Sequence, residues 1–578
     1  MPTPPLTDHL NLLWSSLIVA EFIKNGIDTF FISPGNRSAP LISALAYEDR
    51  ALKKICLDER AAGYRALGYA KATGRPCVLL CTSGTAPANY YPAVIEAGRE
   101  EIPLIILSAD RPPELVGSDA NQTIVQRDLF GRYCRDSLFL PCPDVHYPLN
   151  ALLAKMDDII HHPSGPIHIN CPFRDPLTPG VSGHHPIPAD ILEKARRLFD
   201  FPKPYTTYFR QALIAADTKD LSAVIQNTAR GLIIVGRLDT PQDVPALERL
   251  FQTTDWPVFC DIASSFKARI PVDRQIFNLD HPEALRLIND YNPDTILQFG
   301  SGLVSKHYYA SILPQTKATV IQVSPRSGLR DPAHRVNLRI EAPISAMAER
   351  LIDEVFPRVE PDAYARFMMS MGMLHLMVKQ SIETDRLSFA LIASTLYAEV
   401  PDDEGLFLGN SIAIRAFDAV LPAAVRKITI ISNRGASGIE GNIATCVGYA
   451  EGSGKRVTAV IGDISFLHDL NSLLLMKQSI VPVVLIIVNN GGGRIFERLP
   501  INNYPEILNP FMTTPHDMNF KLLAGQFDLP YHRIEKPQEL AQSYNRALHS
   551  KCSALLEVIL SPEDDLRIFK AMQQVRLP

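Results

Sequence analysis

The chain carries no surplus of basic residues. Lys and Arg number 57 against 62 Asp and Glu, a net charge of −5 over 578 residues. Nucleic acid is therefore not an expected partner, because phosphate backbones are held mainly by clustered Lys and Arg. The nine cysteines include no CxxC pair and no metal-finger spacing. An odd, scattered set in a chain of this length reads as free thiols in a reducing compartment. No apolar run reaches the ~18 residues that a membrane span requires. The opening stretch, MPTPPLTDHLNLLWSSLIVAEFIKNG, lacks a basic leader and a cleavage site. Its apolar residues fall at helical spacing, so an amphipathic first helix is expected. Together these absences point to a cytoplasmic protein with no membrane partner.

What is present is alternation. Short apolar runs such as DTFFISPG (28–35), KKICLD (53–58), PCVLLCTSG (76–84) and IPLIILSAD (102–110) are separated by helix-like segments. That pattern predicts parallel sheets covered by helices on both faces. It recurs in GLIIVG (231–236), WPVFCDI (256–262), DTILQFG (294–300) and ATVIQVS (318–324). It recurs again in GLFLGN (405–410), KITIISN (427–433), RVTAVIGD (456–463) and VPVVLIIVNN (481–490). A Pro/Gly/His-rich linker, LTPGVSGHHPIP (177–188), and a helical connector at 361–384 separate the blocks. The expected fold is α/β with three domains, each a mainly parallel sheet flanked by helices, spanning residues 1–185, 205–358 and 380–578.

Two neighbouring runs of the last block end in hard oxygen ligands. Gly462-Asp463 closes one strand, and Asn489-Asn490 closes the next before three glycines, Gly491 to Gly493. Ligands in open α/β sheets bind beyond the carboxyl ends of strands, and a right-handed crossover sets such strands side by side or nearly so. A carboxylate, an amide oxygen and a backbone carbonyl near Gly492 form a partial oxygen cage. Magnesium accepts such a set when a phosphate supplies further ligands. Alone, either dipeptide is an ordinary strand-end turn; the pair across one βαβ unit is far more specific.

This GD…NN arrangement resembles the diphosphate–metal motif of thiamine-diphosphate enzymes. Those enzymes also need a glutamate on another α/β domain, and CLDERAAGYRALGYAKATGRP offers Glu59 at an expected strand end. A glutamate there also suits the positive end of a helix; the resemblance makes it the cofactor-activating acid. Longer stretches are similar to the 2-succinyl-5-enolpyruvyl-6-hydroxy-3-cyclohexene-1-carboxylate synthases of menaquinone biosynthesis. They are SPGNRSAPL (33–41), CTSGTAPANYYPAVIEA (81–97), SADRPPEL (108–115), ANQTI (120–124), GNSIAIRAFD (409–418), NRGASGIEG (433–441), GDISFLHDLN (462–471) and VNNGGGRIFERLP (488–500). The chain departs from that family's usual residues at Asn36 (serine), His307 (arginine), Glu440 (aspartate) and Gly491 (asparagine).

The resemblance implies thiamine diphosphate with Mg2+ or Mn2+, and the substrates isochorismate and 2-oxoglutarate. It implies metal ligation by Asp463, Asn490 and Gly492. It implies cofactor contacts from Gly409, Asn410, Ser411, Gly462 and Ser465, with Ile439 propping the cofactor in a bent form. Both substrates are dicarboxylates, and guanidinium forks suit carboxylates. Arg37, Arg111, Arg415 and Arg434 all follow closely on expected strand ends. With Asn36, Asn121, Gln122 and Lys306 they are the expected substrate contacts. A homodimer or a dimer of dimers is implied, because in the family the two motifs that share one cofactor come from different chains. Another thiamine-diphosphate 2-oxoacid decarboxylase, or an acetolactate-synthase-like enzyme, is the alternative; the arginine set with SPGNRSAPL weighs against it.

Overall fold

The computed structural model describes residues 9–161, 164–178, 187–208, 219–238, 240, 243–352 and 361–578. Most of the linker 177–188 lies outside the described residues. Among those described, all strands fall into three sheets and every ladder is parallel. The three-sheet α/β fold expected from the alternation is therefore the observed one.

The first sheet comprises β1 (Thr29–Ser33), β2 (Leu52–Ile55), β3 (Cys77–Cys81), β4 (Leu104–Asp110), β5 (Asp136–Phe139) and β6 (Ile167–Pro172). Its order is β2-β1-β3-β4-β6-β5. The second comprises β7 (Gly231–Val235), β8 (Val258–Cys260), β9 (Thr295–Phe299), β10 (Thr319–Val323) and β11 (Leu338–Ile340), in the order β11-β10-β9-β7-β8. The third comprises β12 (Gly405–Leu408), β13 (Thr429–Ile431), β14 (Val457–Gly462), β15 (Val483–Asn489), β16 (Tyr531–Ile534) and β17 (Ala554–Ile559). Its order, β13-β12-β14-β15-β17-β16, repeats that of the first sheet strand for strand. Central strands such as β3, β4 and β7 are buried along their whole length, which is why they read as continuous apolar runs.

Two compact units result. One contains residues 1–211, 433–454 and 468–481. Its core gathers the first sheet and the first helix, Leu10–Lys24. That helix is not amphipathic, contrary to expectation: residues 11 to 22 are buried without interruption. Its polar residues are covered as well: the Asn11 amide donates to the Arg174 and Pro176 carbonyls at 2.8 and 2.9 Å, and Glu21 accepts the Tyr205 N–H at 2.6 Å. In the same unit, helix Glu59–Thr73 lies against helix Asn442–Ser453 at very close range. A Cβ on Gly68 would stand 2.1 Å from the Thr445 carbonyl oxygen, and one on Gly448 would stand 1.8 Å from that of Arg65. Only glycine permits this approach. Arg65 and Glu451 close it with a bidentate ion pair at 3.1 and 2.6 Å.

The other unit contains residues 212–432, 455–467 and 482–578. It holds the second and third sheets over one continuous apolar core that runs from Leu221 to Met572. The connector forms helix Pro361–Gln380.

Candidate functional site

In the second unit, β14 and β15 are neighbours, with Gly462 opposite Val488. Asp463 and Asn490 therefore leave the sheet side by side, as their sequence positions suggest. The crossover between them is two short helices, Asp463–His468 and Leu473–Gln478, split by a 3-10 turn, rather than one helix. Asp463 is buried. Its Oδ1 accepts the Ile464 N–H at 2.7 Å. Its Oδ2 accepts the N–H groups of Asn490 at 3.1 Å and Gly492 at 2.9 Å. Burial pushes its carboxyl up, and these N–H groups and His516 pull it back down. His516 Nε2 lies 3.4 Å from the same Oδ2.

The loop after β15 is built for glycine. Gly492 has φ of +135°, and a Cβ there would sit 2.2 Å from the Thr513 carbonyl oxygen. Asn489 steadies the turn: its Oδ1 accepts the Gly491 N–H at 3.1 Å, while its amide donates to Glu557 Oε1 at 2.6 Å. Glu557 escaped the sequence reading, although an acid inside the apolar run ALLEVIL is a visible signal. Across β14, Gly409 follows β12 directly, and Asn410 is buried. Ser411 stands at the N-cap position of helix Ile412–Asp418 without a side-chain capping bond, and its φ of 71° is a conformation that costs a non-glycine residue energy and recurs at functional sites. Arg415 on that helix reaches back to the Ser411 carbonyl at 2.5 Å. Gly462 ends β14, and Ser465 is buried in the helix that follows.

A cavity of about 330 Å³ opens in this unit, lined by Lys306, His307, Arg415, Arg498, Asp280 and Asp418 among apolar residues such as Phe389 and Ile568. Burial lowers the Arg415 guanidinium pKa, with Asp280 opposing and Arg498 reinforcing that shift. Arg498 is held by Asp565 at 2.6 Å and lies over the Phe569 ring at 4.1 Å. Arg498, Asp280 and Asp418 were not singled out by sequence, where a charge lining a cavity looks like any surface one.

The first unit carries the remaining expected residues. Glu59 is not at a strand end: β2 stops at Ile55, and Glu59 is the first residue of its helix. The N-cap there is Asp58, which accepts the N–H groups of Arg60 and Ala61. Asp58 also accepts from the Asn471 amide at 2.9 Å, and Arg60 donates to the His468 carbonyl at 2.9 Å. Arg37 is buried and donates to the Phe173 carbonyl at 2.8 Å and to Asp175 at 3.3 Å. Arg111 follows β4 and bonds the Ser83 hydroxyl. Burial, then the neighbouring Arg37 cation, lowers the Arg111 pKa, so the two guanidinium groups feel one another. Gln122 donates to the Ser83 carbonyl at 3.0 Å, which places it in the same cluster. Asn36 and Asn121 are exposed. The Arg434 segment is gripped by two buried glutamates: Glu100 accepts the Arg434 N–H at 3.0 Å, and Glu96 those of Gly435 and Ala436 at 2.7 and 2.6 Å. The Ile439 carbonyl accepts from the Asn442 amide at 2.9 Å. Among the described residues, no helix is long and apolar enough to cross a membrane.

Comparison with known proteins gives three consecutive family matches. Residues 15–129 match the N-terminal TPP binding domain of thiamine pyrophosphate enzymes, 190–408 the middle domain, and 423–558 the C-terminal TPP binding domain. A 2-succinyl-5-enolpyruvyl-6-hydroxy-3-cyclohexene-1-carboxylate synthase of Syntrophus aciditrophicus (strain SB) is 66% identical over 574 residues, covering 99% of this chain and 100% of that protein. Proteins of the same description are 37% identical in Chlorobium phaeobacteroides (strain BS1), over 96% of each chain, and 33% identical in Rubrobacter xylanophilus, over 98% of each.

Proposed function

The chain belongs to the 2-succinyl-5-enolpyruvyl-6-hydroxy-3-cyclohexene-1-carboxylate synthases, within the thiamine pyrophosphate enzymes, and from that premise we propose how its residues act. It is a thiamine-diphosphate-dependent transferase of menaquinone biosynthesis: it decarboxylates 2-oxoglutarate and adds the succinyl unit to isochorismate. The observation that carries this function is the 66% end-to-end identity to a synthase of that name.

Thiamine diphosphate, when bound, supplies the carbon nucleophile and the electron sink for decarboxylation and carbon–carbon bond formation. The residues fit that group. A carboxylate offers about four lone-pair sites, and three on Asp463 accept N–H groups, which leaves one for a cation. The Gly492 carbonyl accepts one N–H, from Arg494 at 2.9 Å, and keeps a second lone pair. With the Asn490 amide oxygen these groups would hold Mg2+ or Mn2+ against the diphosphate. Gly409, Asn410, Ser411, Gly462 and Ser465 would meet the cofactor at the strand ends, and Ile439 would support its bent form. Glu59 would hold a proton at the pyrimidine N1′.

Substrate carboxylates would go to the cations. Arg37 and Arg111, with Asn36, Asn121 and Gln122, form one such cluster, Lys306 and Arg415 a second, and Arg434 a third point. What supports this is the mutual proximity of Arg37 and Arg111 and the cavity shared by Lys306 and Arg415. A site built for two carboxylates discriminates against a substrate with one, because its cations are then left unpaired. With isochorismate present, kcat/KM for 2-oxoglutarate should exceed that for pyruvate by about 10²-fold or more. Equal values would point to the 2-oxoacid decarboxylase or acetolactate-synthase-like alternative.

The proposal extends to organisation. Domains at 1–185, 205–358 and 380–578 each enclose one sheet, whose strands span Thr29–Pro172, Gly231–Ile340 and Gly405–Ile559. A homodimer or a dimer of dimers is the assembly proposed, because in the resembled family the two motifs that share one cofactor come from different chains. A cytoplasmic location suits nine free cysteines, eight of them buried; activity that sediments with membranes would count against it.

A further inference from the structure

The second unit contains a charged cluster that the reaction does not use directly. Asp261 and Lys267 are fully buried, and Asp418 is 2% exposed. Lys267 Nζ donates to Asp418 Oδ1 at 2.8 Å and lies 5.0 Å from the centre of the Phe259 ring. Asp418 Oδ1 also accepts the Ile262 N–H at 3.0 Å. Asp261, next in the chain, uses both oxygens: one accepts Ala263 N–H at 2.9 Å, the other Val304 N–H at 2.7 Å. Burial and the Asp418 charge push the Asp261 carboxyl up to about 7, which eases the burden of two acids beside one lysine.

The ends of this cluster are informative. Val304 leads directly into Ser305 and Lys306, and Asp280 secures the far side of that loop by accepting from the Ser305 hydroxyl at 2.5 Å and the His307 N–H at 3.4 Å. Asp418 ends the helix that carries Arg415 one turn earlier, and residues at that spacing share a helix face. Lys306, Arg415 and Asp418 line one cavity. The cluster thus runs from the loop bearing one cation to the helix bearing the other. Stability alone is a poor account of it, since apolar residues of similar volume often hold a buried seam as well as an ion pair. What apolar residues lack is directed acceptors for the Val304 and Ile262 N–H groups.

We propose that Asp261, Lys267 and Asp418 are positioning residues that fix the Lys306 loop and the Arg415 helix at the spacing one substrate dicarboxylate requires. The proposal rests on the substrate roles given above for Lys306 and Arg415. The metal ligands proposed above, Asp463, Asn490 and Gly492, are held by other contacts, so the cluster acts on substrate positioning apart from that cage.

The test uses the full chain with thiamine diphosphate and magnesium. Asp261→Asn keeps the shape but offers one acceptor oxygen where two N–H groups need one each. Lys267→Met with Asp418→Leu removes the Lys267–Asp418 ion pair as a unit and leaves Asp261 with its two N–H groups. In either variant the KM of one substrate should rise about tenfold or more, while the other KM and the cofactor Kd stay within about twofold, by steady-state kinetics and calorimetry. Unchanged KM values for both substrates in an active variant would overturn the proposal. So would a loss of cofactor affinity in step with both KM values. A wild-type chain that fails to turn over the two substrates would instead count against the reaction. If the double variant does not fold, the near-isosteric Asp261→Asn decides alone by the same criteria.

Discussion

At the scale of single residues, the roles proposed for two carboxylates are separable. Asp463 sits in a net of three backbone N–H groups, and the cation proposed for it would take the remaining lone pair. Asp463→Ala should abolish cofactor binding at micromolar concentration, because the diphosphate loses its counter-ion. Glu59→Gln should bind the cofactor but exchange its C2 proton about 10²–10⁴-fold more slowly, the span of a general acid–base step. Calorimetry and NMR exchange read the two separately. Tight binding by the first variant, or wild-type exchange in the second, would undo the corresponding role. Sequence gave access to these residues through motif spacing. It gave none to Glu96, Glu100 or Lys267, which are legible only as buried once their neighbours are known.

At the scale of elements, legibility followed burial except at β2, an exposed edge strand still read from KKICLD. Strands such as β4 and β15 are almost wholly enclosed and announce themselves as apolar runs. The edge strands β5, β11 and β16 are partly exposed, so their sequences, DSLF, LRI and YHRI, carry no such run. The strand β17 is buried yet was missed, because Glu557 interrupts its pattern. The Leu10–Lys24 helix failed in the opposite direction. It has no solvent face: its polar residues Asn11 and Glu21 are buried and bonded to backbone groups of residues 174, 176 and 205. Glu59 was misplaced for a related reason: β2 ends three residues before Asp58, and Asp58 rather than the strand starts the helix.

At the scale of the whole molecule, the first and third sheets share one strand order, and the expected cofactor residues divide between the two compact units. If the family's assembly applies, Glu59 of one chain works with Asp463 of another. Inactive Glu59→Gln and Asp463→Ala chains, mixed so that subunits exchange, should then recover activity. Half of the dimers are mixed and each has one intact site, so recovery approaches about a quarter of wild type. No recovery with mixed dimers confirmed by mass would mean that each chain completes its own site. The central claim, that this chain joins two dicarboxylates, is tested most directly by identifying its product. Incubated with 2-oxoglutarate, isochorismate, magnesium and thiamine diphosphate, it should release carbon dioxide and yield 2-succinyl-5-enolpyruvyl-6-hydroxy-3-cyclohexene-1-carboxylate by mass spectrometry, and do neither without the cofactor. Carbon dioxide release that leaves isochorismate unconsumed would contradict the account.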